Sequence, residues 1–103
     1  MSRILITEAE SEVLAALWRR GPLSAKALLA EVKAAQAWGD ATIKTLLGRL
    51  MRKGAISSER DDGRQQYRAL VSRQAYVEGE VQALADRLFK GDRQALLNAL
   101  RSD

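Results

Sequence analysis

The apolar rhythm of this 103-residue chain changes at Gly54, and few folds accommodate what lies on either side. Over residues 40–53, DATIKTLLGRLMRK, a step of about 100° per residue puts Leu46, Leu47, Leu50 and Met51 within roughly 80° of Ile43, the buried stripe of a helix. Asp40 can cap that helix and Gly54 can end it. Beyond Gly54, AISSER and RQQYRAL read as short strands on either side of Asp61-Asp62-Gly63, a tight-turn sequence. A hairpin over about 55–70, with Ile56 and Tyr67 facing the core, is expected to follow the helix directly.

The flanking sequence supplies more helices. Thr7 and Glu10 form a capping box, Val13, Leu14, Leu17 and Trp18 follow at helical spacing, and Gly21-Pro22 stops a helix over about 8–20. Ser24 caps a second helix to about Ala35, with Leu28, Leu29 and Val32 on its apolar face. The loop after it, AAQAWGD, is expected to pin Trp38 into the core, where Trp18 and Tyr67 also belong. Ser72 caps a fourth helix, which Gly91 ends, and Asp92 caps a fifth that carries Leu96, Leu97 and Leu100. The expected fold class is mainly α with a small β-hairpin. It comprises a winged helix-turn-helix domain over residues 1–71 and a helical region over residues 72–103.

Val77, Val81, Leu84 and Leu88 recur at spacings of four, three and four. Such a narrow seam can fold back on its own domain or pair with a partner helix. The first three helices already have partners for their apolar faces, so a homodimer is expected. Tyr76, Val77, Val81, Leu84, Leu88 and Phe89 are the candidate dimerisation residues.

Composition removes most chemistry. Without cysteine there are no disulfides, thiol nucleophiles or thiolate metal sites; without histidine the usual proton shuttle and the commonest metal ligand are missing. Asp61 and Asp62 read as turn formers, since no third ligand lies near them. No enzyme, cofactor or metal is expected. The first residues, MSRILITEAE, lack the apolar core and cleavage site of a signal peptide, and no apolar run could span a membrane. A cytoplasmic protein is expected.

The positive charge is unevenly placed. Residues 41–70 hold seven Lys/Arg against Glu59, Asp61 and Asp62, whereas the segments on either side are balanced. The whole net charge of +4 therefore falls within these thirty residues. On the third helix Ala41, Thr45, Gly48, Arg49 and Arg52 lie opposite the apolar stripe, with Thr42 and Lys44 on its flanks. A solvated face normally mixes signs; this one has no carboxylate, which points Lys44, Arg49 and Arg52 toward phosphate. Thr42 and Thr45 can bond back to the previous turn or meet base edges. Gly48 fits either close approach to DNA or a tight helix–helix contact. Arg60, Arg64 and Arg68 can pair with Glu59, Asp61 and Asp62 within the hairpin.

Trp38, then Thr42-Ile43-x-Thr45-Leu46-Leu47-x-Arg49-Leu50, then Lys53-Gly54-Ala55, Gly63-Arg64 and Tyr67 form a specific string. With Glu8-Ala9-Glu10-x-Glu12-Val13, Leu17-Trp18 and Asp86-Arg87-Leu88-Phe89-x-Gly91, the chain closely resembles the BlaI/MecI/CopY family of repressors over nearly its whole length. The resemblance implies a homodimeric transcriptional repressor that binds a double-stranded DNA operator. Its third helix would enter the major groove, presenting Thr42, Lys44, Thr45 and Arg49, and Arg60 and Arg64 would flank the wing tip. Together with Arg52 and Lys53, these are the candidate DNA-binding residues.

Three departures qualify the resemblance. Asp40 and Ala41 stand where members of the family carry polar, often basic, residues. The absence of cysteine leaves out the metal motif of copper-responsive members. Antibiotic-responsive members are cleaved at an Asn-Phe bond, and the matching place here reads Leu97-Asn98-Ala99-Leu100. A regulatory protease acting near Asn98 is the partner this implies. The chain also stops one or two helices short of typical members, so a shortened dimerisation region is expected.

The expected function is a sequence-specific repressor acting as a homodimer on a pseudo-palindromic operator. The alternative is a winged-helix protein-interaction module that docks an acidic protein. The carboxylate-free face over residues 41–52 discriminates between them, since it suits a phosphate backbone.

Overall fold

The structure, a computed structural model, describes residues 4–101. Its elements in chain order are α1 (Glu8–Arg20), α2 (Ala25–Ala35), α3 (Asp40–Arg52), β1 (Ile56–Asp61), β2 (Arg64–Ala69), α4 (Arg73–Phe89) and α5 (Arg93–Arg101). The chain divides into two compact units, one ending at Ser72 and one starting at Arg73. No helix among the described residues is long and apolar enough to cross a membrane.

In the first unit the local signals act as their chemistry requires. The Thr7 side chain accepts from the Glu10 N–H at 3.1 Å, and the Glu10 carboxylate accepts from the Thr7 N–H at 2.9 Å, closing the capping box of α1. Ser24 caps α2 by accepting from the Ala27 N–H. One core gathers Val13, Leu14 and Leu17 from α1, Leu28 and Val32 from α2, and Ile43, Leu46, Leu47 and Leu50 from α3, with Ile56 from β1. Trp18, Trp38 and Tyr67 are half-buried against it. The Trp18 ring N–H donates to the Val71 carbonyl at 2.8 Å, holding the end of this unit to α1.

Two expectations about α3 change. Asp40 does not cap the helix; it is the first helical residue, and Gly39 occupies the cap position with no side-chain bond to the helix. The Asp40 carboxylate is drawn instead to the ammonium of Lys33 on α2. Met51 is not buried with the stripe but 39% exposed, because it lies at the stripe's edge in the last turn.

β1 and β2 pair antiparallel from Ile56↔Ala69 to Asp61↔Arg64. Asp61 thus belongs to a strand, and the turn is the pair Asp62 and Gly63, both at positive φ as a two-residue hairpin turn demands. Leu23, in the link between α1 and α2, exchanges backbone hydrogen bonds with Tyr67 at 3.1 and 2.7 Å. The hairpin is thereby anchored to the start of α2, a pairing that the Gly21-Pro22-Leu23 sequence does not announce.

The second unit is a helical hairpin. α4 ends with Lys90 and Gly91 in the left-handed region, and the Gly91 N–H reaches back to the Ala85 carbonyl. Asp92 caps α5 by accepting from the N–H groups of Gln94 and Ala95. Ala85 and Leu96 are its buried apolar residues. The candidate dimerisation residues are less enclosed: Val77 and Leu88 are exposed, and Tyr76, Val81, Leu84 and Phe89 are half-buried.

Candidate nucleic-acid interface

Burying Ile43, Leu46, Leu47 and Leu50 fixes the rotation of α3 and turns Ala41, Thr42, Lys44, Thr45, Arg49 and Arg52 outward, all of them exposed. On the hairpin Arg60 sits opposite Gln65 and Arg64 opposite Asp61, so both arginines flank the turn, again exposed. These two sets of cations belong to the same compact unit. Among the described residues Arg49, Arg52, Arg60 and Arg64 have no carboxylate partner. Among the described residues Arg68 is the one hairpin arginine in an ion pair, with Glu59 at 3.8 Å.

Lys53 differs from this set in having a carboxylate partner. Its ammonium donates to the Leu5 carbonyl at 2.7 Å and to the Glu10 carboxylate at 2.5 Å, so its charge is committed inside the unit. Burial pushes the Glu10 carboxyl up, but the hydrogen bonds from Lys53 and Thr7 and the Lys53 charge outweigh it. The group is held below its ordinary value of 4.5.

The head of α3 carries an acid, Asp40. The hydrogen bond from Lys33 and its charge, with a smaller contribution from Lys44, hold the Asp40 carboxyl below its ordinary value. Lys33 was missed by sequence reasoning. It lies seven residues earlier on another helix, and no local pattern announces the pair. Its effect is to offset the charge of the Asp40 carboxylate at the start of the outward face.

The two threonines differ. The Thr45 hydroxyl donates to the Ala41 carbonyl at 2.9 Å, whereas the Thr42 hydroxyl has no protein partner among the described residues. Gly48 is not held against another helix. A Cβ there would meet only the end of the Arg52 side chain, at 3.5 Å, an ordinary contact. No helix among the described residues packs against it closely enough to require glycine.

The family model for penicillinase repressors matches residues 6–103. The chain belongs to the penicillinase repressor family. A member of that name from Bacillus licheniformis is 26% identical over 99 residues, covering 95% of this chain and 77% of its own length. The uncharacterised 16.5 kDa protein of the ptsI 3′ region of Latilactobacillus sakei is 35% identical over 83 residues, 81% of this chain. The match spans 57% of that relative's length. Among solved structures, monomeric Bacillus licheniformis BlaI in complex with the blaP half-operator superposes with a TM-score of 0.65 at 27% identity. It covers 74% of this chain and 94% of that one. The mainly α fold with its small hairpin is therefore the winged helix of this repressor family.

Proposed function

We propose that this chain is a sequence-specific DNA-binding transcriptional repressor. The observation that carries the reading is the set of four arginines, Arg49, Arg52, Arg60 and Arg64, exposed and without a carboxylate partner among the described residues, in a member of the penicillinase repressor family. In this reading α3 lies in the major groove with Thr42, Lys44 and Thr45 toward the bases. Arg49 and Arg52 meet the flanking phosphates, and Arg60 and Arg64 hold the backbone from the hairpin. Phosphate contacts supply salt-dependent affinity, and the side chains toward the bases supply discrimination.

The repressor acts in the cytoplasm as a homodimer joined through α4 and α5. Exposed Val77, Leu88, Leu97 and Leu100 support that assembly, because two copies could cover them together. A two-fold dimer presents two copies of α3, so the operator is a pseudo-palindrome with half-sites about one helical turn apart. Release from DNA through a regulatory protease near Asn98 belongs to the same reading. Asn98 lies within α5 and its side chain accepts from Gln94, so cleavage there requires local unwinding of that helix.

Binding to random-sequence duplexes and to duplexes selected from a random pool, titrated across salt, tests the reading. A linear fall of log K with log salt and a large preference for a palindrome are expected. Salt dependence without preference would remove the sequence-specific dimer. Failure to bind any duplex at low salt would overturn DNA binding and turn attention to an acidic protein partner.

A further inference from the structure

We propose that Thr45 reads the 5-methyl group of a thymine and that, of the two threonines on α3, Thr42 near its start is the one that reads by hydrogen bond; this rests on the DNA-binding reading above. Both threonines are exposed on the outward side of α3, yet they offer different chemistry. The hydroxyl of Thr45 gives its only proton to the Ala41 carbonyl one turn back, at 2.9 Å. That bond fixes the side-chain rotamer and spends the hydroxyl's donor, leaving the Cγ2 methyl and the oxygen's lone pairs to meet a base. Thr42 keeps both donor and acceptor, since no protein group among the described residues takes its hydroxyl.

The surroundings reinforce the difference. Ala41, one turn before Thr45, ends at a methyl group, and Gly48, one turn after it, has no side chain. The long cations Arg49 and Arg52 start further along the helix, and the Arg52 guanidinium reaches back over Gly48. Ala41 and Gly48 add no polar side-chain group of their own beside the Thr45 methyl. In the major groove the thymine methyl is the one apolar mark on a base edge. A methyl presented there is matched by contact and exclusion of water, with no hydrogen bond needed. The same position discriminates against uracil, which differs from thymine by that methyl alone.

The experiment takes a duplex selected by the protein from a random pool and replaces each thymine of a half-site in turn with deoxyuridine. One replacement in the half-site is expected to weaken binding about fourfold, the effect of losing one buried methyl contact. Thr45→Ser, which keeps the hydroxyl and loses the methyl, should bind the thymine and uracil duplexes alike. Thr45→Val, which keeps a methyl and loses the hydroxyl, should retain the preference for thymine. The inference is overturned, with DNA binding intact, if no uracil replacement matters. It is equally overturned if Thr45→Val loses affinity while Thr45→Ser does not, which would assign the contact to the hydroxyl oxygen. Failure to bind any duplex overturns the repressor reading, and this inference with it.

Discussion

Glu10 and Lys53 meet across 43 residues of chain, and one carboxylate thereby serves two helices. Glu10 closes the start of α1 through Thr7 and holds the ammonium that follows the end of α3. The carboxylate side chain is 1% exposed and its partner's is 32% exposed. The pair locks α3, the helix assigned to the major groove, against α1.

Glu10→Gln keeps the shape of the capping box but leaves Lys53 without its counter-charge. Breaking a fully buried pair costs about 3–5 kcal/mol, and the partial exposure of Lys53 lowers the expected loss to about 2 kcal/mol. Urea denaturation measures it. Duplex affinity of the folded variant should stay unchanged if the Lys53 ammonium serves the pair with Glu10 and not DNA; a large change of affinity at full folding would place Lys53 in the interface.

The same carboxylate sets an acid limb of stability. Its folded pKa lies below the ordinary 4.5, so the unfolded chain takes up the proton first as pH falls. The stability it contributes is present above about 4.5 and is lost as pH drops through the lower folded value. Denaturation midpoints followed from neutral pH into that range should fall less steeply for Glu10→Gln. Parallel curves for the two proteins would contradict the assignment.

Lys33→Ala should weaken duplex binding although Lys33 lies on α2, outside the proposed reading face. It frees the Asp40 carboxylate at the head of α3, where it would face phosphate. A single screened contact of about 1 kcal/mol corresponds to roughly fivefold in affinity. Adding Asp40→Asn should restore most of the loss. If the double variant stays as weak as Lys33→Ala, then Lys33 touches DNA itself.

Gly48→Ala separates stability from binding. Alanine is better than glycine inside a helix by about 1 kcal/mol, and its Cβ meets no tight contact, so the free protein should become more stable. If α3 approaches the DNA closely at Gly48, affinity falls in the same variant. Calorimetry with a parallel duplex titration checks both; a stabilised variant with undiminished affinity would leave Gly48 without a binding role.

Leu88 and Leu96 should respond differently to a charge. Leu88 is 55% exposed on α4, so Leu88→Glu leaves the helices folded and weakens self-association by tenfold or more, about 1.4 kcal/mol. Leu96 is 7% exposed within the α4–α5 hairpin, so Leu96→Glu unfolds that unit. Sedimentation equilibrium with circular dichroism distinguishes the two. An unchanged assembly in Leu88→Glu would move the dimer contact elsewhere.

The elements were legible because their signals are short-range. The Thr7–Glu10 box, the Ser24 and Asp92 caps and the Asp61-Asp62-Gly63 turn signal each act within a few residues, and the structure narrows the turn to Asp62 and Gly63. The rotation of α3 followed from its leucines, and with it the outward cations. What the sequence left open was the partner of each charge and hydroxyl. Lys53 and Arg52 are neighbours of the same sign in a basic run, yet one is held by Glu10 on α1 and the other faces solvent. Asp40 looked like a cap until Lys33 drew it away, and Leu23 showed no strand pattern before it paired with Tyr67. Thr45 had two possible bonds, and only the folded helix selects the one to Ala41. The sequence by itself determined the helices, the hairpin and the family; the tertiary structure decided which polar groups remain available for a partner. The physical reason is that backbone preferences are satisfied locally, whereas a charge or hydroxyl takes whichever partner packing brings within about 3 Å, however distant in sequence.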